Sequence, residues 1–232
     1  MKLFRIIPRY LFLGIALLAF KVNAAEDLAP RLLALQQGWA KADYQTRKAD
    51  QDAAFTLLTD EANALVTAFP QRAEPLVWNA IILSTHAGVK GGLSALSMVR
   101  QARDLLMKAE SIDADVLEGS IYTTLGSLYY KVPGWPLSFG DKHKAATYLQ
   151  KALALNPDGI DANYFYGDFL HEQGRDQEAA TYLRKALAAK PRSQRPLADK
   201  GRRAEAEALL RQVQSGIAGN SGGGADTKEA KL

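Results

Sequence analysis

Cysteine is absent from the 232 residues. Its absence excludes disulfides, thiolate catalysis and Cys-ligated zinc. It also leaves no residue for lipoprotein acylation, so no lipid anchor is expected. Only three histidines occur, His86, His143 and His171, and none forms an HExxH-type pair. The GxSxG elbow is missing too. Gly88-Val89-Lys90-Gly91-Gly92 lacks the GK[ST] order of a phosphate loop, and no strand pattern precedes it, so it reads as a helix–helix connection. Alternating apolar–polar runs are scarce, which excludes a β fold. No nucleophile–base–orienter set can be assembled. The expectation is a chain that catalyses nothing and needs no metal or cofactor.

Long hydrophobic runs are also few, and the one that stands out is at the N-terminus. Lys2, Arg5 and Arg9 precede an apolar run, Tyr10–Phe20, of eleven residues. Val22-Asn23-Ala24 then offers small residues for signal peptidase. This pattern predicts an export signal over 1–24, cleaved before Ala25, because the run is too short to span a bilayer. The predicted compartment is the periplasm, where a Cys-free chain has no thiol to oxidise. Residues 1–24 hold Lys2, Arg5, Arg9 and Lys21 and no acid, so removing them leaves 25 basic against 25 acidic residues. A neutral chain has no general electrostatic reason to bind nucleic acid or an anionic membrane.

What is present is a repeat. Ala145–Pro157 reads AATYLQKALALNP and Ala179–Pro191 reads AATYLRKALAAKP, at an offset of 34 residues. That is the tetratricopeptide period. Ala102, Leu106, Lys108 and Ala109 repeat Ala145, Leu149, Lys151 and Ala152 at an offset of 43. Gly167 and Ala179 suit two antiparallel helices in close approach, and Pro191 ends the second. Gly174-Arg175-Asp176 makes the turn, with Asp176 read as N-cap. Gly126 has the corresponding role in the preceding repeat, but seven extra residues separate its two helices, placing an insertion at 132–141 (VPGWPLSFGD), with Asp141 at its exit read as the cap of the helix that follows. The predicted fold is all-α: antiparallel helix pairs stacked as a tetratricopeptide-like right-handed superhelix with a long aromatic and Pro-containing loop. Further helices are predicted over 32–44, 53–69, 75–87, 93–109 and 197–213 from apolar spacing of three to four. The organisation is a signal at 1–24, degenerate N-terminal repeats at 25–92, tetratricopeptide-like repeats at 93–192, a capping helix at 193–215 and a disordered tail at 216–232.

Two candidate surfaces follow. The inserted loop carries Trp135 and Phe139 among Pro133 and Pro136, good anchors for a partner and also good core plugs. The loop reading places Trp135 on the plug side and makes Phe139 the cleaner contact. The other surface is a concave groove built from Thr123, Ser127 and Tyr130 beside Tyr164, Asp168 and His171. Ala162, Phe165, Tyr166, Phe169 and Leu170 form the core stripe of that helix. The groove reads as neutral to acidic, without the Lys or Arg to clamp an acidic peptide terminus.

The runs LGSLYYKVPGWPLSFGD, LNPDGIDANYFYGDFLHEQGR and RPLADKGRRAE resemble an exported bacterial group with tetratricopeptide-like repeats. That group is similar to the T component associated with tripartite ATP-independent periplasmic (TRAP) transporters. The likeness is best over 76–210. It implies a helical periplasmic protein, oligomeric in many members, that associates with a solute-binding protein. The residues and the resemblance together predict a non-catalytic interaction scaffold for a protein or peptide partner. The alternative is a periplasmic binder of a small apolar or aromatic ligand near Trp135, Phe139 and Tyr164.

Overall fold

The computed structural model describes residues 20–222, with side chains for 28–218. Among them nine α-helices follow one another: α1 (Phe20–Tyr44), α2 (Lys48–Ala68), α3 (Ala73–Lys90), α4 (Gly92–Ile112), α5 (Ser120–Lys131), α6 (Lys142–Leu155), α7 (Ile160–Glu172), α8 (Asp176–Ala188) and α9 (Pro196–Gly222). None is long and apolar enough to cross a membrane. The predicted export signal lies, up to residue 19, outside the described residues. So do residues 223–232 of the expected tail. The rest of that tail is helix: α9 runs through Gly222, with Val213 fully buried and Ile217 packed against the core.

Small residues at fixed spacing make the pairs. Ala102, Leu106 and Ala109 of α4, Ala145, Leu149 and Ala152 of α6, and Ala179, Leu183 and Ala186 of α8 are all 0% exposed. Each triplet is the face that its helix lays on the helix before it. The first helix of two pairs meets it with a glycine. A Cβ at Gly126 would sit 2.6 Å from Leu149 Cγ, and one at Gly167 would sit 2.9 Å from Leu183 Cγ. Side chains there would force the helices apart. Ala179→Leu is therefore expected to overpack the α7–α8 contact and to cost about 1–3 kcal/mol. A denaturant melt with an unchanged midpoint would show that the repeat register is wrong.

Turn chemistry agrees with the sequence at one cap and differs at another. Asp141 caps α6, accepting from the backbone N–H of His143 at 2.9 Å and of Lys144 at 3.1 Å. Asp176, expected to cap α8, is instead its first helical residue and makes no cap bond. Its carboxylate lies 2.6 Å from His171 Nδ1. An ion-capable ring five residues back outcompetes the local N–H groups. Gly91 and Gly92, at φ +64° and +66°, turn the chain from α3 into α4.

The pairs α1–α2, α3–α4, α5–α6 and α7–α8 stack in order, and the first helix of each faces inward. α9 packs on α7 and α8 and then on α1. Gln37 donates to the Gln194 carbonyl, and Gly201 lets α9 lie flat on the Tyr44 ring. The concave side is thus enclosed by α1, α3, α5, α7 and α9.

Candidate functional site

The inserted loop occupies ten residues (132–141), against three (173–175) in the next pair. It is not loose. The Gly140 N–H donates to the Pro133 carbonyl at 3.0 Å, and Asp141 N–H donates to Tyr129 O at 2.8 Å. Leu137 and Ser138 N–H groups both reach Gly134 O, and Arg100 donates to Leu137 O at 2.8 Å. The Trp135–Pro136 bond is cis. Phe139 is the plug: half-buried, its ring meets Tyr129 edge-on at 5.3 Å and lies under the Arg103 guanidinium at 4.6 Å. Trp135 is 90% exposed and Leu137 61%. This reverses the roles read from sequence. The single plug position in the loop goes to the residue next to the α6 cap, and Trp135 is left at the tip.

The groove residues are also redistributed. Thr123 and Ser127 face the enclosed space, but Tyr164, Asp168 and His171 do not line it. Tyr130 is buried and donates to Asp168 Oδ2 at 2.7 Å, while Lys131 Nζ sits 2.8 Å from the same oxygen. Burial, then the Asp168 charge, raises the Tyr130 pKa well above the usual phenol range. The His171 ring bridges Asp176 and, at 3.2 Å from Nε2, Gln212 of α9. Tyr164 lies beneath the Arg202 guanidinium at 4.5 Å. These four residues have protein partners already and serve the stacking of α5, α7 and α9. Trp135 stands at the exposed loop tip, Phe139 packs on Tyr129 and Tyr164 lies under Arg202, so different elements hold the three residues.

The enclosed space is itself a cavity of about 270 Å³. Its walls are Trp39 and Asp43 of α1, Trp78, Ile81, Ser84 and Thr85 of α3, Ser120, Thr123, Thr124 and Ser127 of α5, Asp161 and Phe165 of α7, and Arg195 and Arg202. Phe165, expected in the core, is part of this wall. The arginines overturn the reading of a groove without cations: they arrive from the segment preceding α9 and from α9 itself.

A charge cluster fixes that wall. Asp161 accepts from Arg192 Nη1 at 2.8 Å and from Arg202 Nε at 2.9 Å. Arg192 also binds Asp199 at 2.7 Å, and Arg202 binds Glu205. Burial opposes the Asp161 charge, but Arg202 and then Arg192 outweigh it and hold the carboxyl well below the usual carboxylate range. Arg202 is also stacked on Tyr164 and Phe165, at 4.5 and 4.6 Å.

Asp43 behaves in the opposite way. Burial, aided by Glu205 and opposed by Arg202, pushes its pKa up to about 6. A folded pKa above the unfolded ~3.9 means that the charged carboxylate is disfavoured by folding. Stability is then complete below pH 4 and falls as the pH rises through 6. Asp43→Asn is accordingly expected to raise stability at pH 8 by about 1–2 kcal/mol, after discounting for partial exposure, and to change little below pH 4. Thermal melts across that range check it.

Sequence reasoning missed Asp43, Trp39, Trp78, Arg195 and Arg202. The only signal was RPLADKGRRAE, which holds Arg195, Asp199, Gly201, Arg202 and Glu205 in one run.

The fold is all-helical, with antiparallel helix pairs stacked as a tetratricopeptide-like superhelix. Residues 137–193 match the tetratricopeptide repeat family model. Among solved structures, a thermophilic tetratricopeptide repeat protein of Thermus thermophilus is similar, with 18% identity, a TM-score of 0.51, and 82% of this chain and 95% of that one covered. MamA is 19% identical over 77% of this chain and 98% of its own, with a TM-score of 0.42. No curated protein matches in sequence. Repeats of this type generally act as non-catalytic scaffolds for protein partners.

Proposed function

We propose that this chain is an exported, non-catalytic scaffold that docks a protein partner through the loop at 132–141, and that the partner is the solute-binding protein of a TRAP-type uptake system. The observation that carries the docking surface is Trp135, held 90% exposed on a hydrogen-bonded loop with Leu137 beside it. An exposed indole on a fixed backbone loses little entropy when a partner covers it. Export is supported by the basic start, the apolar run and Val22-Asn23-Ala24. The transporter association rests on the sequence runs that resemble the T component, and the loop is the most specific of them. One experiment tests export, docking and association together. Full-length chain carrying a C-terminal tag is recovered from the periplasm, its intact mass is measured, and its bound proteins are identified. The expected bait starts at Ala25 and carries a periplasmic solute-binding protein. A bait that retains residues 1–24 would end the case for cleavage, and a clean bait without that partner would end the case for the association.

A further inference from the structure

The wall of the central cavity contains four charged side chains, and they do not cancel in pairs. Asp161 is satisfied by Arg192 and Arg202, and Arg202 also by Glu205. Arg195 and Asp43 are left over. Arg195 Cζ lies 4.8 Å over the Trp78 ring, its Nε is buried, and that Nε has no hydrogen-bond acceptor. Among the described residues no carboxylate stands within ion-pair distance of Arg195, and the Asp43 carboxylate has no ion-pair partner either. The Arg195 side chain lines the cavity with no carboxylate to pair it, and a half-buried guanidinium charge left in that way points to an absent anion. Asp43, an unpaired carboxylate on α1, points to an absent cation.

The rest of the wall narrows the chemistry. The hydroxyls of Ser84, Ser120, Thr123 and Thr124 donate to carbonyls of their own turns, so they face the cavity as acceptors, while that of Thr85 does the same but already accepts from the Trp39 indole N–H at 3.0 Å. Ser127 is on the same helix face as Thr123 and Thr124 and makes no such bond. Trp39, Trp78, Ile81 and Phe165 give an apolar side. The volume, about 270 Å³, falls below the ~300–1,000 Å³ of sites for drug-sized ligands. Several lining residues, Asp43, Ser127 and Arg195 among them, are only half-buried, so solvent reaches the cavity.

We infer that the central cavity binds a small zwitterion, an amino acid or related amino carboxylate with an apolar body, its carboxylate on Arg195 and its ammonium on Asp43. A plain carboxylate would satisfy Arg195 and leave Asp43 unpaired; a plain amine would do the reverse. The charge left over on each side selects for a ligand carrying both. The inference goes beyond partner docking and does not depend on it, because the cavity and the exposed loop share no residue.

The test is calorimetric titration of purified chain, without any partner protein, against four probes: L-leucine, 6-aminohexanoate, 4-methylpentanoate and 3-methylbutylamine. At least one of the two zwitterions is expected to bind ten times or more tightly than the carboxylate and the amine. Arg195→Met and Asp43→Asn are each expected to lower that affinity at least tenfold while the chain still melts cooperatively. Trp135→Ala is expected to bind the probe as wild type does, which separates this site from the docking loop. Equal affinity for the zwitterions and for 4-methylpentanoate would overturn the assignment, as would undiminished binding by Asp43→Asn. No heat with any probe at millimolar concentration would overturn the site altogether.

Discussion

Asp161→Ala is expected to destabilise the chain by about 3 kcal/mol, at the low end of the cost of breaking a buried ion pair. Asp161 is the shared acceptor of Arg192 and Arg202, at 2.8 and 2.9 Å. Removing it leaves two guanidinium groups facing each other across the cavity wall, with Arg195 close by. Arg202 has a side chain only 10% exposed and cannot turn to water. Asp199 and Glu205 still hold one arginine each, which keeps the cost from reaching the top of the range. The effect has a pH signature. The Asp161 carboxyl is held well below its ordinary value, so its contribution is complete above the unfolded pKa of ~3.9 and fades as the pH falls through its folded value. The gap between wild type and variant should be constant from pH 8 to pH 5 and shrink in acid. Denaturant melts at three pH values read it, and an undiminished gap at pH 3 would show that the loss is one of packing alone.

The inserted loop gives the second large effect, a contrast between two aromatic residues four positions apart. Phe139→Ala removes a half-buried ring that touches Tyr129 and Arg103, and should cost about 2–3 kcal/mol of stability. Trp135→Ala removes a side chain with almost no protein contact, so stability should stay within about 0.5 kcal/mol. If Trp135 is the anchor for the partner, its loss should weaken capture on the order of 30-fold, equivalent to ~2 kcal/mol. The two variants thus separate folding from docking. Wild-type capture by a stably folded Trp135→Ala chain would remove the loop as the docking surface.

The sequence already carried the features of this fold that depend on spacing. Ala145, Ala179, Gly126 and Gly167 are legible because a helix pair in close contact needs small residues at those heights, and the 34-residue offset repeats them. The place of the insertion follows from the same count, and the Asp141 cap from local chemistry. What was not legible depends on which element covers which. Trp135 and Phe139 are equivalent by composition. Only the path of the loop, set by hydrogen bonds to Tyr129 and Gly134, decides which ring goes inward. Tyr164, Asp168 and His171 lie on the polar face of their helix, and an open stack would have left that face to solvent. Instead α9 covers Tyr164 and His171, and α5 takes Asp168. Within RPLADKGRRAE, Arg202 is a partner for Asp161, forty-one residues away along the chain, and such pairing has no periodicity to betray it.

That return of the last helix to the first has a mechanical meaning. An open solenoid behaves as a spring: it lengthens under load, frays from either end and loses one unit at a time. Here α1 and α9 hold each other, so both ends of the array are tied into one loop of contacts. Bending the array requires that seam to part, and trimming either end exposes the other. The seam between α1 and α9 is thus a clasp, and whatever enters the interior from that side must first undo it.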